Sequence, residues 1–382
     1  MLAKGIQLTL LIGPIVPIPA PRVVIDALES VEVTTAAGTA SGFQLKFQFS
    51  AKSELNTIFL IAGAQNTGPG KIPLRVMLIV TLNGTPQPLF DGVMTNVQVQ
   101  PGGQGAPGTL TVTGEDLTKV MDMIDWSGVP FPAMPIEARV ALLCAKYAPF
   151  GLIPLVIPVL FPDIPIPVDK IPAQQGTDLQ YIRKLAGDVG YVFYIEPGPV
   201  AGTNIAYFGP EIKVGVPQPA LNLDMDALTN VESMSFKFDP TAGKLPIVFI
   251  QNQLTRIPIP IPIPIPKLNP LQPPLGVLSA PLANIEVLKY TAKLNPMQAI
   301  SEGLAVANQS QDTVSANGSL DVLRYGRVLK ARGLVGVRGA GLAYDGLYFV
   351  QSVTSTLKRG EFKQSFTLTR NGLISITPRV PI

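Results

Sequence analysis

Hydrophobic and polar residues alternate along much of this chain. Phe43, Leu45, Phe47 and Phe49 are interleaved with Gln44, Lys46, Gln48 and Ser50. A period of two sends one set of side chains to a core and the other to solvent, so the run predicts a half-buried strand. Val76–Leu82 is apolar nearly throughout and predicts a fully buried strand. It ends at Asn83-Gly84, the pair favoured by type I′ hairpin turns. Leu89–Met94 leads on to Val97 and Val99. After the Gly/Pro-rich stretch Pro101–Gly108, Leu110 and Val112 alternate with Thr109, Thr111 and Thr113. About six strands at this spacing predict a small antiparallel barrel or sandwich over residues 22–118.

The period then changes. Behind Pro135, the residues Ile136, Val140, Leu143 and Tyr147 recur at helical spacing. A second helix is predicted where Thr177 or Asp178 can cap, Leu179, Ile182, Leu185 and Ala186 form a stripe, and Gly187 or Gly190 ends it. Strand Tyr191–Ile195 follows, then the run Ile205-Ala206-Tyr207-Phe208-Gly209-Pro210. Further on, strands are predicted over 231–238, 245–251, 284–294, 314–320, 328–331, 347–353 and 362–369, with a helix over 295–309. The last two strands flank Lys358-Arg359-Gly360-Glu361, a strong hairpin signal. Gly346 enters the first of them from Tyr344-Asp345, where a positive φ is expected, and Tyr348 lies on it. The glycines from Gly333 to Gly341 are not a dinucleotide fingerprint, since no βαβ unit surrounds them. Gly339 and Gly341 are expected to allow bulges or a tight loop.

The predicted fold is mostly β with short helices (α+β): two small antiparallel barrel-like domains linked by a helix-containing segment. The expected division is a Pro-rich arm over 1–21, a first barrel over 22–118, a connecting domain over 119–200 and a second barrel over 201–382. That last part contains an Ile-Pro insertion at 253–275.

Five Ile-Pro repeats fill Ile257–Pro266. Proline locks φ and biases the residue before it to extended geometry, so the segment is pre-ordered. As a strand it puts Ile257, Ile259, Ile261, Ile263 and Ile265 on one face and every proline on the other. All isoleucine N–H groups then point to one edge, and the opposite edge has no donor. Such a strand pairs on one side only and stops further addition. The five isoleucines are candidate contacts for a docked arm; the alternative is a loose low-complexity loop.

Composition narrows the chemistry. The 382 residues carry 29 basic and 26 acidic side chains, a net charge of +3, with no basic run to bind nucleic acid. Charged residues are 14% of the chain, against about 25% in ordinary proteins, while 47% are hydrophobic. This fits either surface hidden in an assembly or a large buried β core. There is no histidine, which removes the commonest general base and metal ligand. Cys144 is the only cysteine and sits in an apolar helical context, which reads as a core thiol. Glu115, Asp116, Asp122 and Asp125 are the acids a carboxylate-based cell-wall glycosidase would need, but their neighbours read as a turn before a helix. No catalytic residue, cofactor or metal site is expected. The apolar runs at Ile6–Ile18 and Gly151–Val168 are broken by prolines, so neither a signal peptide nor a spanning helix is expected.

Several phrases resemble a known family. Asp178, Ile182, Arg183, Leu185, Ala186, Gly190 and Tyr191, followed by Tyr207-Phe208-Gly209-Pro210, resemble the helix and strand of the baseplate hub family. That family includes late control protein D of contractile phages and the hub part of the valine-glycine-repeat spike proteins of type VI secretion. Phe90-Asp91-Gly92 resembles a phrase of its first barrel, and Tyr344-Asp345-Gly346-Leu347-Tyr348 one of its closing hairpin. The resemblance covers residues 22–375, with the Pro-rich segments as departures. It implies a non-catalytic homotrimeric ring, two barrels per copy, joining a six-fold tail tube above to a three-fold spike below. It also implies contact with other baseplate proteins and assembly in the bacterial cytoplasm as part of a phage tail-like particle. Because the chain stops soon after the last hairpin, the spike is expected to be a separate polypeptide. A different non-catalytic tail or adhesion β-protein is the alternative.

Overall fold

A computed structural model describes residues 2–3, 5–49, 55, 58–59, 73–103, 107–159, 171–251, 257–263, 273–279, 284–288, 299–300, 303, 306 and 312–377. Contacts group the chain into two compact units. The first comprises Met1–Arg183, Phe193–Phe208 and Thr354–Lys363; the second comprises Lys184–Val192, Gly209–Val353 and Gln364–Ile382.

The first unit opens with β1 (Leu2–Ala3), β2 (Ile6–Gly13), β3 (Ile18–Pro19) and a short helix, Arg22–Ala27. β4 (Leu28–Ala36), β5 (Gly42–Phe49), β6 (Arg75–Leu82), β7 (Thr85–Gln100) and β8 (Gly108–Asp116) follow. Their order in the sheet is β1-β2-β6-β7-β8-β5-β4, and these strands pair antiparallel. β6 is buried on both faces, as its unbroken apolar run predicts. Its hairpin to β7 turns at Asn83 (φ 50°) and Gly84 (φ 82°), the two left-handed residues a type I′ turn requires. Residues 1–21 were expected to form a Pro-rich arm, yet they contain β2, paired along its whole length with β6. The reason is the alternation of Ile6, Leu8, Leu10 and Ile12, all buried, which precedes the prolines.

The middle of the chain holds the helices Thr118–Met121, Ile136–Ala145 and Asp178–Val189 with β9 (Leu152–Val156), β10 (Val192–Pro197) and β11 (Asn204–Gly209). Helix Ile136–Ala145 buries Ile136, Val140 and Leu143, the stripe its spacing predicts, together with Cys144. Thr177 caps the next helix, its hydroxyl accepting from the Gln180 N–H at 3.2 Å. β9 and β11 run parallel within the sheet β10-β11-β9.

The second unit contains β12 (Gln218–Asn222), β13 (Val231–Phe238), β14 (Lys244–Gln251), β15 (Pro258–Pro262), β16 (Gly276–Ser279) and β17 (Asn284–Val287). Then come β18 (Val314–Asp321), helix Val322–Tyr325, β19 (Leu334–Arg338), β20 (Gly346–Lys358), β21 (Glu361–Arg370) and β22 (Gly372–Ser375). The main order is β13-β18-β21-β20-β19-β12, beside the smaller sheets β15-β14-β17 and β16-β22. The β20–β21 hairpin is long, and its tip belongs to the first unit. There β20 pairs with β4, the Thr34 and Thr354 hydroxyls lie 3.0 Å apart, and Arg359 donates to the Asp26 carbonyl at 2.7 Å. The fold is thus mostly β with short helices. The strand pairing of the described residues does not itself trace a closed barrel.

One local expectation differs from the structure. Residues 328–331 are not a strand. The Gln364 side chain takes the place of a neighbouring strand, accepting from the Leu329 N–H at 2.8 Å and donating to its carbonyl at 3.0 Å. Leu334–Arg338 forms β19, and Gly339 (φ 84°) and Gly341 (φ 88°) turn just after it, as expected of them. The helix expected at 295–309 lies almost wholly outside the described residues; Ala299, Ile300, Gly303 and Val306 are helical.

Candidate assembly surface

The Ile-Pro segment forms β15, at one end of a three-stranded sheet. It pairs antiparallel with β14, setting Ile259 against Ile250 and Ile261 against Val248. The Ile263 N–H donates to the Pro246 carbonyl at 2.9 Å, so the isoleucine side of the backbone faces β14. Pro258, Pro260 and Pro262 turn outward and bring carbonyls without donors. Burial is graded along the strand. Ile257 is 61% exposed and Ile259 47%, Ile261 is half-buried, and Ile263 is buried against Val248 and the helical residue Gly303. Ile265 lies outside the described residues. One end of the strand is therefore anchored in the core, and the other presents bare isoleucine.

Gly346 and Tyr348 serve a buried site. Gly346 has φ 122°, and a Cβ added there would overlap the Ser375 side chain. Tyr348 is wholly buried, and its hydroxyl donates to the Tyr344 carbonyl at 2.8 Å. Burial pushes its phenol well above the ordinary range. Phe236 stacks on Tyr344 at 4.8 Å. Arg370, also wholly buried, lies 4.4 Å from the Tyr348 ring and donates to the carbonyls of Gly372, Asp345 and Ala343 at 2.7, 2.9 and 2.7 Å. It pins the residues around Gly346 by their backbone. Sequence reasoning missed Arg370. Its signal was its phase, since Phe362, Gln364, Phe366, Leu368 and Arg370 all take the inward positions of β21.

A second buried arginine was also missed. Arg75 and Asp91 form a two-pronged ion pair at 2.8 and 2.6 Å, with side chains 3% and 2% exposed. Arg75 also donates to the carbonyls of Ile15 at 2.7 Å and Phe150 at 2.8 Å. The Asn204 amide donates to Asp91 at 2.8 Å. The cluster ties β6 and β7 to the proline-rich start of the chain, the turn before β9, and β11. In the neighbouring phrase, Phe90 packs on Phe43 at 5.3 Å, and Tyr207 stacks on Tyr194 at 5.0 Å. Asp178 is fully buried and accepts from Lys146, Tyr147 and Gln174.

Three of the candidate acids make local hydrogen bonds. Asp116 accepts from the Ser41 N–H at 2.7 Å and the Thr118 N–H at 3.0 Å. Asp122 accepts from the Thr177 hydroxyl at 2.6 Å, and Asp125 from the Ser127 N–H at 2.7 Å. Hydrogen bonds from Ser127 hold the Asp125 carboxyl below its usual range. Cys144 is buried, and desolvation pushes its thiol up to about 12. A further cluster joins Lys213 to Asp312 at 2.8 Å and Glu211 at 3.6 Å. Among the described residues no group of acids and cysteine is placed to hold a metal ion.

No family model matches the chain, and no curated protein matches it in sequence. Solved structures do match in fold. A tail protein from Neisseria meningitidis shares 13% identity at a TM-score of 0.59, with 97% of this chain and 98% of that one covered. The chain has the fold of phage tail proteins. The 43 kDa tail protein of prophage MuSo2 from Shewanella oneidensis gives a TM-score of 0.60 at 14% identity, covering 95% of this chain and 98% of that one. A chain of the half-lidded Francisella PdpA–VgrG complex gives 0.55 at 9% identity, covering 100% of this chain and 60% of that one. The family resemblance seen in the sequence phrases thus holds at the level of fold. No described helix is long and apolar enough to cross a membrane.

Proposed function

We propose that this chain is a non-catalytic structural protein of a phage tail or contractile injection particle, and that it acts there as the baseplate hub. Three copies form a ring that joins a six-fold tail tube above to a three-fold spike below. Other baseplate proteins complete the contacts. The observation that carries this reading is likeness over the whole length to tail proteins, which spans 97% of this chain and 98% of the Neisseria tail protein. Low charge at 14% and a wealth of bare isoleucine and valine support an assembled state. The non-catalytic part is supported by residue types: there is no histidine, the lone thiol is buried, and Asp116, Asp122 and Asp125 are tied up in local hydrogen bonds. A net charge of +3 without a basic run supports protein rather than nucleic acid as partner. Mass photometry of the purified complex tests the reading, with three copies of the 40.6 kDa chain expected. A stable monomer that never joins tube or spike proteins would point to another tail component.

A further inference from the structure

Prolines stand in several of the strands that end the described sheets. β3 carries Pro19, β9 carries Pro154, β12 carries Pro219, and β15 carries Pro258, Pro260 and Pro262. β17 ends the sheet β15-β14-β17 and has none. Its Asn284 N–H donates to the Gly243 carbonyl at 3.2 Å, and the Leu288 N–H donates to the Ile247 carbonyl at 3.0 Å. These residues face β14. Ile285 and Val287, in the alternate phase, turn N–H and C=O away from it. Their side chains are 69% and 51% exposed, and no described residue pairs with their backbone. Glu286 between them is held by Lys244 at 2.9 Å. The two ends of this sheet therefore differ in kind. At β15 the outward residues are prolines, which accept but cannot donate; at β17 the outward row has both donors and acceptors.

A second copy of this chain is a poor occupant. Two β17 strands paired antiparallel about Glu286 would set that carboxylate against its twin, which is unfavourable. The β15 edge of another copy offers carbonyls only, half a ladder. We propose that β17 docks one extended strand from a different protein. That strand alternates β-branched residues, which lie beside Ile285 and Val287, with a basic residue opposite Glu286. The prolines of β15 then stop growth from the other side, so the sheet takes one strand and no more. This inference stands on the sheet's geometry and is independent of the hub reading.

The probe is the capped peptide Val-Thr-Val-Lys-Val-Thr-Val, titrated into the full chain while amide hydrogen exchange is followed. Slowed exchange at Ile285 and Val287 is expected. Val287→Pro removes an outward N–H that the native ladder does not use; it should keep the melting temperature and weaken peptide binding at least tenfold. Should that variant misfold, the wild-type chain with a peptide methylated on alternate amide nitrogens asks the same question, and at least tenfold weaker binding is again expected. A peptide with Glu in place of Lys should also bind less tightly. Unchanged exchange at both residues in the presence of peptide overturns the proposal, as does equal binding by the methylated peptide. Concentration-dependent protection of the same amides without peptide would also overturn it, by naming a second copy as the occupant.

Discussion

Replacing Asp91 by Ala removes the carboxylate that pairs with a guanidinium of which only 3% of the side chain is exposed. The Ile15 and Phe150 carbonyls still accept from Arg75, but they are dipoles and do not neutralise its charge. Breaking a buried pair from one side costs about 3–5 kcal/mol. For a unit of this size each kcal/mol moves the melting point by about 2–4 °C, so a drop of about 6–20 °C is expected. Arg75→Met combined with Asp91→Leu removes both charges together. Phe150 keeps the Asn204 amide at 3.3 Å, and the Ile15 carbonyl loses its arginine donor. The double variant should therefore lose only about 1–3 kcal/mol. Trp126 is the chain's one tryptophan and lies in the first unit, so its fluorescence during urea unfolding reports the unit that holds the pair. If Asp91→Ala stays within about 1 kcal/mol of wild type, or if the double variant is no more stable than Asp91→Ala, the pair is not the clamp described here.

Other outcomes follow from the second unit. Gly346→Val should cost at least about 1–3 kcal/mol, from the positive φ and the overlap with Ser375; an unchanged thermal melt would remove that reading. Along β15, Ile263→Ser should destabilise by about 2–5 kcal/mol, whereas Ile257→Ser with Ile259→Ser should stay within about 0.5 kcal/mol and weaken particle assembly instead. Calorimetry and light scattering separate the two effects, and equal melting losses would contradict the graded burial. Desolvation raises the Glu211 carboxyl above its ordinary value, so its contribution to stability is full below the ordinary carboxyl range and falls as pH rises through the raised value. Glu211→Gln should flatten that slope in melts between pH 4 and 7. Lys213 is raised by Asp312 and Glu211, which outweigh its burial, so its contribution is lost only as pH climbs beyond the ordinary lysine range.

Local order in this protein was legible in the sequence because it obeys local rules. Alternation marked β5 and β8, an apolar run marked β6, Asn83-Gly84 set the hairpin, and helical spacing marked the buried stripe of Ile136, Val140 and Leu143. The Ile-Pro repeat by itself determined that any strand it formed would have one donorless edge, because proline lacks an N–H wherever it stands; that it pairs as a strand was decided by β14. What only the tertiary structure decided was which distant groups meet. Asp91 and Asn204 are 113 residues apart and share a hydrogen bond; Leu329 and Gln364 are 35 apart, and a side chain does the work of a strand. No periodicity encodes such pairs, because each depends on where the backbone returns. The five isoleucines of the repeat are alike in sequence, yet β14 and the helical residue Gly303 bury Ile263 while Ile257 and Ile259 stay bare. Burial is a property of neighbours brought together in space, and a repeat cannot specify its own neighbours.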